Sequence, residues 1–104
     1  MTGPDFEKSE LIPAIAQDAT SGDVLMMAYM NKDAYEETLK TRRVSYYSRS
    51  RQKLWRKGEE SGNVQELMEI FFDSSTVNLL RKVNQIGGAA CHEGYRSCFF
   101  RKID

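Results

Sequence analysis

The sequence predicts a mostly β, α+β domain: a small barrel-like or open sheet of short strands with one helix. Three observations predict it. Short runs rich in β-branched, aromatic and other apolar residues recur along the chain, parted by turns bearing glycine and serine. One stretch only combines helical periodicity with a good capping residue in front of it. The length, 104 residues, suffices for one small core, and no repeat, low-complexity tract or linker divides it. A single domain spanning 1–104 is expected, with the polar residues 1–10 as a flexible N-terminus.

The elements follow in chain order. "LIPAIAQD" is a short apolar run and reads as a strand. "ATSGDV" is a turn with Ser21-Gly22 at its tip, and "VLMMAYM" resumes as a strand, so the pair predicts a hairpin. Asn31 suits an N-cap, Asp33 suits the first helical turn, and "KDAYEETLKT" sets Ala34, Tyr35, Thr38 and Leu39 on one face. "VSYYSRS" predicts a third strand, and "RQKLWRKGEESGN", polar and charged, a loop. "VQELMEIFFD" alternates imperfectly and reads as a strand. "NLLRKVNQI" is another, ended by Gly87-Gly88, and "YRSCFFRKI" a last one. Met26, Met27 and Met30 fit core filling better than a cofactor surface.

Fifteen basic residues balance fifteen acidic ones, so the formal charge is zero. That argues against a strongly basic nucleic-acid binder and against a polybasic membrane anchor. No apolar run approaches the roughly 20 residues of a membrane span. The polar start "MTGPDFEKSE" lacks the apolar stretch of a signal peptide. A cytoplasmic location is expected, where thiols stay reduced.

Two segments carry chemistry. In residues 46–63 the cations Arg49, Arg51, Arg56 and Lys57 lie with Ser48, Ser50, Ser61 and Trp55. Guanidinium forks bind phosphate bidentately, hydroxyls add donors, and a tryptophan face stacks on a base. Against a neutral total, this local concentration suits a small phosphorylated ligand; the plainer reading is a solvated basic loop around a core tryptophan. In "AACHEGYRSCFF" both cysteines and the single histidine, Cys91, His92 and Cys98, fall within eight residues. Gly94 permits a tight turn that brings the cysteines together. A catalytic zinc site takes three such ligands plus water. Spacing alone leaves two readings open: metal or substrate chemistry, or two small buried hydrophobes beside a hydrogen-bonded histidine.

From about Leu11 to Arg101 the chain resembles the phosphoribosyl-AMP cyclohydrolase family of histidine biosynthesis. The resemblance rests on "PAIAQD", "GDVLMMAYMN", "YYSRSRQKLWRKGEESGNVQ" and "ACHEGYRSCFF", the last two being long and specific. It implies a small pseudo-barrel capped by one helix, in an intertwined homodimer with sites at the interface. It implies hydrolytic opening of the adenine ring of phosphoribosyl-AMP between N1 and C6 by zinc-activated water, the work of a hydrolase acting on a cyclic amidine. It further implies zinc held by three cysteines, one from across the dimer, and magnesium held by three aspartates. Mapped onto this chain, the zinc ligands are Cys91 and Cys98, with His92 as a further ligand or as the catalytic proton carrier. The phosphates and adenine fall to Ser48, Arg49, Ser50, Arg51, Trp55, Lys57, Glu59, Ser61 and Asn63.

The chain also departs from the family's pattern. Where the family carries D-C-D-x-D, residues 73–77 read Asp73-Ser74-Ser75-Thr76-Val77, and "SGH" becomes "SGN" with Asn63. Serine is a far poorer zinc ligand than thiolate, and valine is none. Asp73 alone remains of the magnesium ligands, so weak or absent zinc and a lost magnesium site are expected. The sequence therefore supports two functions: a cyclohydrolase, or a catalytically impaired relative that binds a phosphorylated nucleotide in a regulatory or different role. Both take a small phosphorylated nucleotide as partner, without nucleic acid or membrane.

Overall fold

The protein is described by a computed structural model covering residues 3–75, 77–91 and 93–104. Its elements are β1 (Ile12–Asp18), β2 (Val24–Met30), α1 (Lys32–Thr41), β3 (Ser45–Ser48), β4 (Lys53–Arg56), β5 (Gln65–Phe72) and β6 (Leu79–Gln85). Four strands make one sheet in the order β2-β1-β6-β5, and β3 and β4 make a separate hairpin. β1 runs antiparallel to β2 and parallel to β6, and β5 antiparallel to β6. The result is a mostly β, α+β fold with one short helix.

The β1–β2 hairpin forms as its sequence dictates. Asp18 at the end of β1 accepts the N–H groups of Thr20 and Ser21 and closes the turn. Pro13 pairs with Tyr29 of β2, whereas the pairing of β1 with β6 begins only at Ala14. The proline's missing N–H therefore falls where β1 has a neighbour on one side only, which a strand tolerates. Asn31 caps α1 by accepting the N–H of Ala34, and Arg42 ends it in the left-handed conformation. Ala34 and Thr38 form the buried stripe, whereas Leu39, expected on that face, is exposed.

The hairpin folds over the inner face of the sheet. Ile12, Ala14 and Ala16 of β1, Leu67 of β5 and Leu79 and Val83 of β6 meet Leu25, Met26, Met30, Val44 and Tyr46 in one core. Tyr46 is fully buried, its hydroxyl donates to Gln65 Oε1 at 2.8 Å, and its ring lies 5.0 Å from that of its cross-strand partner Trp55. Arg81, on the inner face of β6, is also fully buried, its guanidinium 4.6 Å from the Tyr46 ring.

Two expectations fail. The stretch predicted as one loop after β3 holds a strand, β4, because Leu54 and Trp55 pair with Tyr47 and Tyr46 across a turn at residues 49–52. Gln52 takes the left-handed conformation that closes this turn. The last predicted strand, "YRSCFFRKI", forms none. Its middle is tied to β2 instead: Ser97 Oγ donates to Val24 O at 2.8 Å and the Cys98 N–H to Leu25 O at 2.7 Å.

Candidate active site

The basic segment and the cysteine segment share one cavity of about 680 Å³. Its walls include Ser48, Ser50, Arg51, Trp55, Lys57, Glu59, Ser61 and Asn63 from the hairpin and the loop after it, and Cys91 from the far segment. Two glycines make this approach possible. Gly58 has positive φ, and a Cβ there would overlap the backbone of Asn63 and Val64. Gly87 also has positive φ, and a Cβ would collide with the Asn63 side chain. Asn63 therefore sits in a cradle between the two loops, and side chains at 58 or 87 would force them apart.

Of the predicted substrate residues, the cavity gathers all but Arg49, which lies over the Tyr29 ring at 4.3 Å. It adds Lys53, Leu54, Arg56, Glu60 and Gly94. Lys53 and Leu54 escaped sequence reading because β4 was taken for loop; the apolar pair Leu54-Trp55 opposite "SYYS" was the signal. Arg56 is engaged with Glu37 at 3.6 Å. Arg51 and Lys53 leave the wall near Ser48 and Ser50 positive, which favours an anion. Ser48 Oγ accepts the Arg51 N–H at 3.2 Å and lies 3.4 Å from Ser50 Oγ, so the hydroxyls and the guanidinium belong to one turn. A second cleft, about 800 Å³ between the N-terminal segment and α1, carries Asp5, Glu7, Glu10, Asp33 and Glu36. Those five carboxylates outnumber the single cation among the described residues there, Lys32, and make the cleft a poorer host for phosphate.

Lys57 is 8% exposed. Burial pushes its pKa down, against the pull of the Cys98 and Cys91 sulfurs beside it. Cys98 is pushed up to about 11, first by burial and then by the neighbouring Cys91 thiol, which lies within hydrogen-bonding reach. The two cysteines and the Lys57 ammonium are thus close enough to act on one another's charge. As soft donors side by side they fit zinc. His92, named from sequence as ligand and proton carrier, lies outside the described residues. The chain has only two cysteines, so identical chains with one site each can supply at most two thiolates per metal. Among the described residues no group of three histidine, cysteine or acidic side chains could hold a metal.

Asp73 lies elsewhere. From Gln65, beside the cavity, it is the length of β5 away, roughly 25 Å at 3.3 Å per residue. Its carboxylate is closed upon by its own turn: Ser75 Oγ donates to both oxygens at 2.9 Å, and Asn78 donates through Nδ2 at 2.7 Å and its N–H at 3.2 Å. These donors, Asn78 foremost, hold its pKa below the usual carboxylate value. Lys8 Nζ reaches Ser75 O at 3.4 Å. Hydrogen bonds and an ammonium thus occupy the surroundings that a divalent cation needs, and Ser75 and Val77 bring no second carboxylate. The turn does not fit magnesium.

Among the described residues no helix is long and apolar enough to cross a membrane. The family model for phosphoribosyl-AMP cyclohydrolase matches residues 26–100. A phosphoribosyl-AMP cyclohydrolase of Thiobacillus denitrificans is 60% identical over 98 residues, covering 94% of this chain and 74% of its own. One from Desulfatibacillum aliphaticivorans is 56% identical over 101 residues, covering 96% and 81%. One from Chloroherpeton thalassium is 57% identical over 99 residues, covering 95% and 70%. With this match spanning the hairpin, the cavity and the cysteine segment alike, the chain belongs to the phosphoribosyl-AMP cyclohydrolase family.

Proposed function

We propose that the protein hydrolyses the N1–C6 bond of the adenine ring of phosphoribosyl-AMP, and that the cavity shared by the basic hairpin and Cys91 is its active site. The observation that carries this reading is that shared wall: a basic, hydroxyl-bearing turn and the Cys91 thiol face one space large enough for a nucleotide. Arg51, with Ser48 and Ser50, holds one phosphate by charge-assisted hydrogen bonds, and Lys53 extends the same positive wall toward the second. Trp55 offers a ring face to the base, its own plane steadied by Tyr46. The N1 substituent makes the substrate ring cationic and C6 electrophilic. Water adds at C6, the N1–C6 bond breaks, and the electron pair returns to N1. His92, next to Cys91 in the chain, carries the proton to the leaving nitrogen. Zinc, when held by Cys91 and Cys98, supplies Lewis-acid activation of water. With two thiolates rather than three, zinc is bound weakly, and Asp73 holds no magnesium.

The active unit is a homodimer. Met27, Ile15, Leu80 and Phe71 are cross-strand neighbours, one from each strand of the sheet, on the face away from the core. Met27, Ile15 and Phe71 are exposed. A continuous apolar row across a whole sheet suits burial against a second copy. A second copy is also the only way segment 73–77 of an identical chain can approach Cys91. Reduced thiols at the site suit the cytoplasm.

The test is turnover of phosphoribosyl-AMP by the purified protein, with and without added zinc, beside binding of the same nucleotide. Ring opening stimulated by zinc and indifferent to magnesium is expected. Tight binding without turnover at any zinc concentration defeats the catalytic reading and leaves a nucleotide-binding relative. Absence of binding defeats both.

A further inference from the structure

Asn63 and Cys91 reach the cavity from two separate loops, and one side chain behind the wall joins those loops. Gln85 closes β6, and its Nε2 lies among four main-chain carbonyls: Asn63 O at 3.0 Å, Ile86 O at 3.1 Å, Val64 O at 3.3 Å and Ala89 O at 3.4 Å. Two of these end the loop that carries Asn63, and two belong to the segment that leads into Cys91. Gln85 Oε1 accepts from Gln65 Nε2 at 2.9 Å. Gln65 is fully buried on β5; it also donates to Met26 Sδ at 3.3 Å and accepts the Tyr46 hydroxyl on Oε1. Tyr46 in turn packs on Trp55. The partners fix the Gln85 amide in one orientation, because turned over it would set an oxygen against four carbonyl oxygens. A chain of hydrogen bonds thus runs from the back of Trp55 to both loops, while Gln85 and Gln65 themselves stand outside the cavity's lining.

We propose that Gln85 is a positioning residue for the cavity: without touching the ligand it sets the spacing between the loop of Asn63 and the segment of Cys91, and Gln65 sets its orientation. The role rests on the reading of this cavity as the active site. A nucleotide that spans the basic turn, Trp55 and the Cys91 wall binds best when those parts already stand at one spacing. The regular pairing of β5 with β6 gives out at the bond from the Ile86 N–H to Val64 O. Gly87 and Gly88 follow, both with positive φ, and give the segment a conformational freedom that the shared amide removes.

The experiment compares the full-length protein with Gln85→Met and Gln85→Glu at neutral pH, by hydrogen exchange and by binding of phosphoribosyl-AMP. Methionine keeps the length and loses the donor. Glutamate keeps the shape and polarity but aims a carboxylate oxygen at the carbonyls. The Gly62, Ala90 and Cys91 amides are hydrogen-bonded at these loops, to Gly58 O, Arg96 O and Tyr95 O. Their exchange is expected to quicken about tenfold in Gln85→Met, the worth of one net hydrogen bond, and more in Gln85→Glu. The Asp18 and Gly22 amides of the β1–β2 turn should keep their rates. Nucleotide affinity should fall in the same order. A residue that merely presented polarity at the surface would give the reverse order, with glutamate the milder change. The inference is overturned if the loop amides of Gln85→Met exchange as in the wild type, if glutamate is the milder change, or if exchange rises equally throughout the chain. Where both variants fail to fold, the wild-type chain decides. Its Gln85 side-chain amide protons are expected to exchange slowly and to show nuclear Overhauser contacts to residues 63–64 and 89–90; exchange as fast as in a free side chain overturns the inference. Failure of the wild type to bind phosphoribosyl-AMP defeats the active-site reading alone, since the loop amides still report the positioning.

Discussion

Replacing Arg81 with methionine should stabilise the protein. Arg81 is 0% exposed, and the described residues offer its guanidinium no carboxylate. Nη2 donates to Ala14 O at 2.9 Å, while Nε and Nη1 find no acceptor among the described residues. Methionine keeps the unbranched stem against Ala16 and Ile70, the neighbours on the flanking strands. What is lost is one charge-assisted hydrogen bond, about 1.5–3 kcal/mol, and the stacking of a cation on Tyr46, up to about 2 kcal/mol when desolvated. What is relieved is larger: two buried donors without partners, about 1–3 kcal/mol each, and a desolvation cost of several kcal/mol for the charge itself. The balance favours methionine by about 1–4 kcal/mol, the range seen when buried ionic groups give way to apolar side chains. For a domain of this size that means a rise of at least about 4 °C in midpoint. Urea and thermal unfolding at one fixed protein concentration measure it. A loss of more than about 1 kcal/mol would refute the reasoning, because it would mean that Arg81 has an anionic partner, such as a carboxylate from a second chain.

Arg51→Ala should weaken binding of a phosphorylated nucleoside roughly tenfold or more, one charge-assisted contact's worth, while Arg49→Ala, stacked on Tyr29, should change it far less; equal losses would put both side chains in the pocket. Ile15→Lys or Phe71→Lys should give a monomer by light scattering at micromolar concentration, and an unchanged dimer mass would move the interface off the outer sheet face. Protein purified without added metal should hold less than one zinc per chain, and Ser74→Cys with Ser75→Asp and Val77→Asp should raise zinc content and ring opening together; full occupancy in the unmodified chain would contradict a two-thiolate site. Asp18 is held below its ordinary carboxylate range chiefly by the Ser21 N–H, with Ser21's hydroxyl, the Thr20 N–H and Arg96 assisting. Its contribution is therefore present above the unfolded value near 3.8 and fades as pH falls through the lower folded value. Asp18→Ala should cost stability at pH 7 and progressively less below pH 4, as followed by denaturant midpoints; a gap that is constant with pH would remove the charge from the account.

The parts of the fold governed by local rules were legible. Ser21-Gly22 marked the first turn, Asn31 the start of the helix, and Gly87-Gly88 the end of β6. What sequence could not weigh was competition for backbone partners. "KLWR" looked like loop because its charges outnumber its apolar residues, yet Tyr46 and Tyr47 across the turn offered it a ladder. "YRSCFF" looked like strand, yet the edge it reached on β2 was taken up through Ser97 and Cys98 alone, leaving Phe99 exposed. An arginine in the middle of "LLRKV" was read only as part of a strand, because nothing local says which face of β6 turns inward. At the site, residue types announced both the basic turn and the cysteine segment, but only the fold could put that turn and Cys91 on one wall and send Arg49 elsewhere.

The placement of segment 73–77 explains how a family member can differ there and keep the rest. The turn is self-contained: Asp73 is satisfied by Ser75 and Asn78, and the Asp73 N–H closes on Asn78 O at 3.1 Å. None of these bonds reaches the cavity, which is assembled at the other end of β5 from Asn63, the hairpin and Cys91. Serine at 74 and 75 and valine at 77 therefore leave the pocket's geometry intact within the chain. Its consequence is felt only where a second copy would present the turn to Cys91 and Cys98. On the proposed reading, substrate binding and full metal binding are separable: the nucleotide would depend on one chain's cavity, and a third zinc ligand on a contact between chains. Loss of affinity for zinc with retained affinity for the nucleotide is the signature of that arrangement, and parallel loss of both would place segment 73–77 in the nucleotide site itself.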